Sequence, residues 1–324
     1  MRPVLLRAVL AIIAVAALST TALAAPASAK VPGPNGEILF TRFDPNVGDG
    51  VLYTINPDGR GLRPVLPGVG VECPNWSPDG SLIATCGSPD GAASRIINPD
   101  TGTVREVFPS DPTLNLACPV WSPDGRQLAC DQFAVPDDPS RAGMYTIRSS
   151  DGGGLTRITK NPGGEDDPVD YSPDGTQIAF LRMDPSRPPQ ANRAVFLVRL
   201  DGSGLHQISP WVSRGLGMNA GWSPDGSTII FSLNGSLFRA HPDGSGLQKI
   251  PMPGLLTRSF AFDPGWSPNG QKIVFAMVTG ATPATSQEGI YTANADGSDV
   301  KQLTQTPSGS HDDSEDWGPH PITG

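Results

Sequence analysis

The chain has 324 residues, with 32 acidic against 23 basic side chains and a formal net charge of −9. That balance excludes a nucleic-acid-binding module, whose affinity rests on cationic contacts to phosphate, and argues against docking on an anionic membrane surface. The 38 glycines and 35 prolines would signal disorder if scattered, but they fall at fixed points of a repeat.

Residues 1–29 read as a signal peptide. Arg2 and Arg7 form a basic start, residues 8–18 are apolar, and Ala27-Ser28-Ala29 offers a small-residue cleavage site. The apolar run falls short of the roughly 20 residues a bilayer span needs, and Ser19-Thr20-Thr21 interrupts it. No cysteine near the cleavage site offers a lipid attachment point, and no later stretch is apolar enough to span a membrane. Losing Arg2 and Arg7 leaves 21 basic against 32 acidic residues, a net charge of −11.

From residue 34 onward one phrase recurs. Its second half comes first, as Pro34-Asn35-Gly36-Glu37-Ile38-Leu39-Phe40. Complete copies begin at Trp76-Ser77-Pro78-Asp79-Gly80, Trp121-Ser122-Pro123-Asp124-Gly125, Tyr171-Ser172-Pro173-Asp174-Gly175, Trp222-Ser223-Pro224-Asp225-Gly226 and Trp266-Ser267-Pro268-Asn269-Gly270. The first half then returns alone, as Trp317-Gly318-Pro319. Successive lead aromatics are 45, 50, 51, 44 and 51 residues apart, a blade-like period. In Ser-Pro-Asp-Gly, Pro presets φ, Asp caps the turn, and Gly takes the left-handed conformation that starts the return strand. The apolar triplets that follow, such as Ile178-Ala179-Phe180 and Ile273-Val274-Phe275, read as short buried strands.

A second hairpin follows in each unit, around Asp58-Gly59, Asp151-Gly152, Asp201-Gly202, Asp243-Gly244 and Asp296-Gly297, with a degenerate copy at Asp100-Thr101-Gly102. Two hairpins make four strands. The predicted fold is all-β: a six-bladed β-propeller of four-stranded antiparallel blades over residues 30–324, closed by pairing of the N- and C-terminal strands. One small sheet cannot cover its own faces, whereas six around an axis cover all of them and closure hides the edges. A monomer is expected.

Cys73 and Cys118 each lie three residues before a lead Trp, and Cys86 and Cys130 lie ten and nine residues after it. The hairpin brings each pair together across neighbouring strands, so disulfides are expected between Cys73 and Cys86 and between Cys118 and Cys130. A zinc site would need closer thiolates or nearby His.

The residues just ahead of each lead aromatic should begin the innermost strand and line the channel mouth. Glu72, Glu165, Asp166, Asp167, Asp263, His311, Asp312, Asp313, Glu315 and Asp316 stand there. Glu72, Asp166, Asp167, Asp263, His311, Asp312 and Asp313 form the candidate binding rim. Carboxylates at matched depth suit Ca²⁺ or another hard cation, or a basic segment of a partner; no cofactor is required. His206 and His241 flank outer turns and His320 lies in the tail, all read as surface positions, so His311 alone makes no catalytic cluster. The Asp-Gly turns lack the spacing of an EF-hand loop.

The Trp-Ser-Pro-Asp-Gly-x-x-Ile-Ala-Phe and Asp-Gly-Ser-Gly-Leu phrases resemble the propeller repeats of the TolB family over about residues 34–317. The same repeat recurs in the non-catalytic domains of prolyl-oligopeptidase-type enzymes. The resemblance implies an exported propeller that acts as a protein-binding platform, in TolB for a peptidoglycan-associated lipoprotein. TolB-like chains carry an α/β domain ahead of the propeller, whereas here the repeat starts directly after the signal. The cysteine pairs also lie outside the general pattern. A peptidase would need a nucleophile in a Gly-x-Ser-x-Gly elbow; none occurs, and Gly202-Ser203-Gly204 and Gly244-Ser245-Gly246 are turns. The expected function is therefore a secreted or periplasmic, non-catalytic platform for an unidentified protein or cell-envelope component. A metal-assisted lyase or lactonase acting on sugar-derived substrates is the alternative, for which the chain supplies carboxylates without His. Inserts at 185–194 and 279–288 read as loops shaping a binding face.

Overall fold

The computed structural model describes residues 33–86, 94–109, 111, 113–132, 138–213, 219–253, 259–280, 287–307 and 309–322. The segment read as a signal peptide lies outside them, as do residues 281–286 of the second insert. No helix among the described residues is long and apolar enough to cross a membrane.

Each Ser-Pro-Asp-Gly folds as the hairpin turn its chemistry predicts. Gly80, Gly125, Gly175, Gly226 and Gly270 take φ of 69–72°, and each donates its N–H to the Ser carbonyl at 2.8 Å. The Ser hydroxyl donates to the Asp carboxylate at 2.6–2.7 Å, and to Asn269 at 2.9 Å in the variant copy.

These turns join the two inner strands of four-stranded antiparallel sheets, of which there are six. Blade 1 comprises Asn75–Trp76, Ile83–Thr85, Ser94–Ile97 and Val104–Val107. Blade 2 comprises Leu116–Trp121, Gln127–Gln132, Met144–Arg148 and Thr156–Arg157. Blade 3 runs through Glu165–Tyr171, Gln177–Met183, Arg193–Arg199 and His206–Gln207. Blade 4 is Ala220–Trp222, Ile229–Leu233, Ser236–Ala240 and Gln248–Lys249. Blade 5 is Phe260–Trp266, Lys272–Thr279, Gln287–Asn294 and Lys301–Gln302. Blade 6 takes its innermost strand, Asp312–Trp317, from the C-terminal end and the other three, Ile38–Asp44, Asp49–Ile55 and Arg63–Pro64, from the N-terminal end. The insert at 185–194 is a loop with one 3-10 turn, Pro189–Ala191, and its last two residues already belong to the next strand.

The core lies between blades. Ala179 and Leu197 of blade 3 pack against Trp222 and Phe231 of blade 4, and Ile38 and Phe40 of blade 6 against Val274 and Ile290 of blade 5. Each of the six interfaces holds one such cluster.

At the seam, Ile38 pairs with Trp317 and Arg42 with Asp312. The sixth turn is rebuilt from both ends: Gly36 donates its N–H to the carbonyl of Gly318 at 3.0 Å, as each intact Gly does to its Ser. Residues 318–320 then lie between Gly36 and Gly80. A methyl group added at Gly36 would stand 2.0 Å from the His320 carbonyl oxygen. His320, read from sequence as a surface tail residue, is instead buried. Its ring stacks on Trp76 at 4.8 Å, and its Nδ1 is 2.8 Å from the carbonyl of Gly80. The tail is buried because it occupies the groove where an intact turn would continue.

Cys73 is bonded to Cys86 and Cys118 to Cys130, with Cα atoms 5.3 and 3.9 Å apart. Each bridge ties the start of an innermost strand to its neighbour. In blade 1 the two inner strands are only two and three residues long, so the bridge supplements a short ladder.

Gly36→Ala is expected to destabilise the fold by about 1–3 kcal/mol through overpacking at the seam, read as a lower urea midpoint. Replacing Cys118 and Cys130 together by Ala is expected to cost about 2–3 kcal/mol on the same measurement.

Candidate functional site

The innermost strands of successive blades touch one another around the ring, with Asp312–Trp317 against Asn75–Trp76 completing it. They all start at one end of the axis and finish at the lead aromatics at the other. Their geometry departs from a regular ladder at one repeated place. Pairing slips between Ala117 and Val120, between Pro168 and Asp170, between Phe262 and Gly265, and between Leu39 and Thr41 opposite the seam strand. Three residues before their lead Trp, Cys73, Asp263 and Ser314 have φ of 50°, 49° and 54°. A bulge here bends the strand and re-aims the side chains beside it.

The bulges gather carboxylates around Asp313. This residue accepts a hydrogen bond from the Thr41 hydroxyl at 2.5 Å, with His311 Nε2 3.9 Å from its other oxygen. Burial, with Asp313 second, pushes Asp263 up to about 7. Burial, with Asp313 and Asp263 next, pushes Glu288 up to about 7. Burial also raises Glu72, aided by Asp49 and Asp313. Glu315 is driven well above the carboxylate range by burial, then by Asp263, with Asp313 adding to it. Among the described residues none of these four pairs with a Lys or Arg. A second group lies between blades 2 and 3, where burial and Asp167 raise Asp131 well above its ordinary value. There Arg193 meets Glu165 at 2.6 Å and Asp167 at 3.5 Å.

The candidate rim residues thus separate. Glu72, Asp263 and Asp313 come together, and Asp167 lies beside Asp131 with Arg193. Asp166 and Asp312 face between blades instead. Asp312 is held bidentately by Arg42 at 2.6 and 2.7 Å, and Asp166 by Arg182 at 2.8 and 2.7 Å. Both arginines lie over aromatic rings, Arg42 on Phe40 and Tyr53, Arg182 on Phe180 and Phe196. The cause is strand alternation, which turns the residue five before the lead aromatic toward the sheet face. His311 is exposed, stacked on Phe43 at 5.1 Å. Sequence reading did not single out Asp49, Asp131 and Glu288, which lie on second and third strands. Among the described residues no three His, Cys, Asp or Glu converge as metal ligands.

At the other end of the axis, residues from all six blades line a cavity that opens to solvent. Lead aromatics Trp76, Trp121 and Trp317 form part of its wall. The blades are bridged there. Asp170 accepts the Trp222 N–H and Asp316 the Trp76 N–H, each at 2.8 Å from the next blade.

Residues 52–319 match the family described as TolB beta propeller domain. The chain belongs to that family. Among solved structures, this TolB-family propeller is similar to TolB from Acinetobacter baumannii, with 19% identity and a TM-score of 0.64, covering 89% of this chain and 67% of that one. It is also similar to an oligogalacturonate lyase from Vibrio parahaemolyticus, with 15% identity and a TM-score of 0.52, covering 86% of this chain and 78% of that one. A puromycin-hydrolyzing peptidase from Mycobacterium tuberculosis matches with 16% identity and a TM-score of 0.52. That match covers 80% of this chain but only 41% of the peptidase. At these identities the likeness is one of fold. No curated protein sequence matches the chain.

Asp263 and Glu288, raised to about 7 from 3.8 and 4.5, favour the fold as neutral acids. The stability they contribute is complete below about pH 4 and is lost as pH rises through about 7. The melting temperature is therefore expected to be higher at about pH 5.5 than at about pH 8. Asp263→Asn with Glu288→Gln should flatten that slope; an unchanged slope would place the repulsion elsewhere.

Proposed function

We propose that this TolB-family propeller is an exported, non-catalytic binding platform that receives a basic segment of a protein or cell-envelope partner at the acidic end of its axis. The supporting observation is the group around Asp313, where Asp263, Glu288 and Glu72 are raised by burial and mutual repulsion without an arginine among them. A cationic segment entering there relieves that repulsion and gains from a low-dielectric, same-sign channel that focuses its field. Arginine is not lacking in the fold: Arg42, Arg182 and Arg193 serve other carboxylates. The platform role also agrees with the TolB-like repeat. Two disulfides suit an oxidising compartment, consistent with secretion or a periplasmic location. A hard cation such as Ca²⁺ is the small-ion counterpart of the same charge.

The test is capture from a cell-envelope extract on immobilised protein, compared with the Asp263→Asn, Glu288→Gln double variant. A partner retained by the wild type, released by moderate salt and weakened about tenfold or more by the double substitution is expected. Equal retention by both proteins would sink the assignment of this end as the contact. Calorimetry with Ca²⁺ on the same pair reads the ion separately.

A further inference from the structure

We propose that the opposite end of the axis is a second site, which takes an organic cation, an alkylammonium or guanidinium group, on the carboxylate of Glu315. Glu315 also feels Asp263 and Asp313 of the acidic mouth, but the proposal rests on its own lack of a partner and on the cavity.

Among the described residues four carboxylates are buried: Glu37, Asp166, Asp312 and Glu315. Three are held by arginines, Glu37 by Arg63 at 2.8 Å, Asp166 by Arg182 and Asp312 by Arg42. Glu315 is the exception. It is among the residues that line the axial cavity, it is 3% exposed, and its two carboxyl oxygens are both buried without a hydrogen-bond partner. Its own backbone N–H and that of Ala276 favour its ionised form, but neither closes a hydrogen bond to it. A buried polar group left in this state is costly, and more so when charged. The other three side chains of this buried set each meet that cost with a guanidinium.

Among the described residues no Lys, Arg or His lines the cavity, while Asp170 and Asp316 add negative charge. Both are already bound to backbone N–H groups of the next blade, so Glu315 is the carboxylate without a partner. Trp76, Trp121 and Trp317 are also among the lining residues, with their indoles packed into the core clusters between blades. A divalent metal would want about six or more oxygens, and no group of three ligands converges among the described residues. A single unpartnered carboxylate fits a monovalent organic ion. Two sources carry this chemistry, a free amine and a basic side chain of a polypeptide. Burial and the neighbouring Asp263 push Glu315 up, and a bound cation favours the ionised carboxylate, so proton release on binding is the expected signature.

The experiment titrates the purified protein with n-butylammonium, with the blocked peptide acetyl-Gly-Lys-Gly-amide, and with neutral n-butanol. Tryptophan fluorescence and calorimetry in buffers of different ionisation enthalpy are the readouts. Binding of a cation with proton release, and not of butanol, is expected. Glu315→Gln should weaken it about tenfold or more, while Glu72→Gln and Glu288→Gln change it less than about twofold. Tighter binding of the peptide than of butylammonium identifies a polypeptide side chain as the source, and the reverse order a free amine. Should Glu315→Gln fail to fold, Glu315→Asp serves, keeping the proton release at reduced affinity. Equal binding of butanol, no effect of the Glu315 substitutions, or no cation binding up to about 10 mM overturns the proposal.

Discussion

Everything in this molecule depends on one antiparallel ladder, between Asp312–Trp317 and Ile38–Asp44. A four-stranded blade has two apolar faces and no means of covering either. Each core cluster belongs to two blades, so no blade is complete until its neighbours are in place. In an open row the two end faces would stay wet. Closing the seam removes both together, which makes one short stretch of hydrogen bonds decisive for the whole ring. The sixth turn, rebuilt from Gly36 and Gly318 with His320 packed behind it, reinforces that stretch.

The interior follows from how the innermost strands accommodate the axis. A regular strand would place alternate side chains in the two interfaces. The repeated bulge breaks that alternation three residues before the lead aromatic, and non-glycine residues adopt left-handed backbone to do so. Asp263 is one of them. Such strain is sustained because the flanking ladders and the disulfides determine the strands on either side. The result is a set of acids brought within repulsive range at a place where the blades provide no arginine.

The turn chemistry made the blades legible, because it is local: Pro, Asp and Gly dictate backbone angles whatever surrounds them. The seam was legible for the same reason, as a turn phrase cut into halves. Side-chain direction in the innermost strand was not. Acidity and position ahead of an aromatic placed Asp166 and Asp312 with Asp263, yet they sit on the sheet face. A signal was present in the repeated Phe-x-Arg of the second strand, Phe40-Thr41-Arg42 and Phe180-Leu181-Arg182, since each arginine is spaced to meet one of those aspartates across the pair. Glu288 and Asp131 could not be found this way. They approach the axis from second and third strands, through contacts that no local pattern encodes.

The seam strand serves two ends at once. The hexapeptide Asp312–Trp317 fastens the ring and also contributes Asp313, Glu315 and Asp316 to the axis. Repulsion among these acids therefore acts directly on the one strand whose release would open the propeller. Whatever neutralises the axis must tighten the clasp, and whatever loosens the clasp must weaken the hold on the axis, by the same free energy. Occupancy and circular integrity are two readings of a single equilibrium, and an empty propeller is the more easily unlatched.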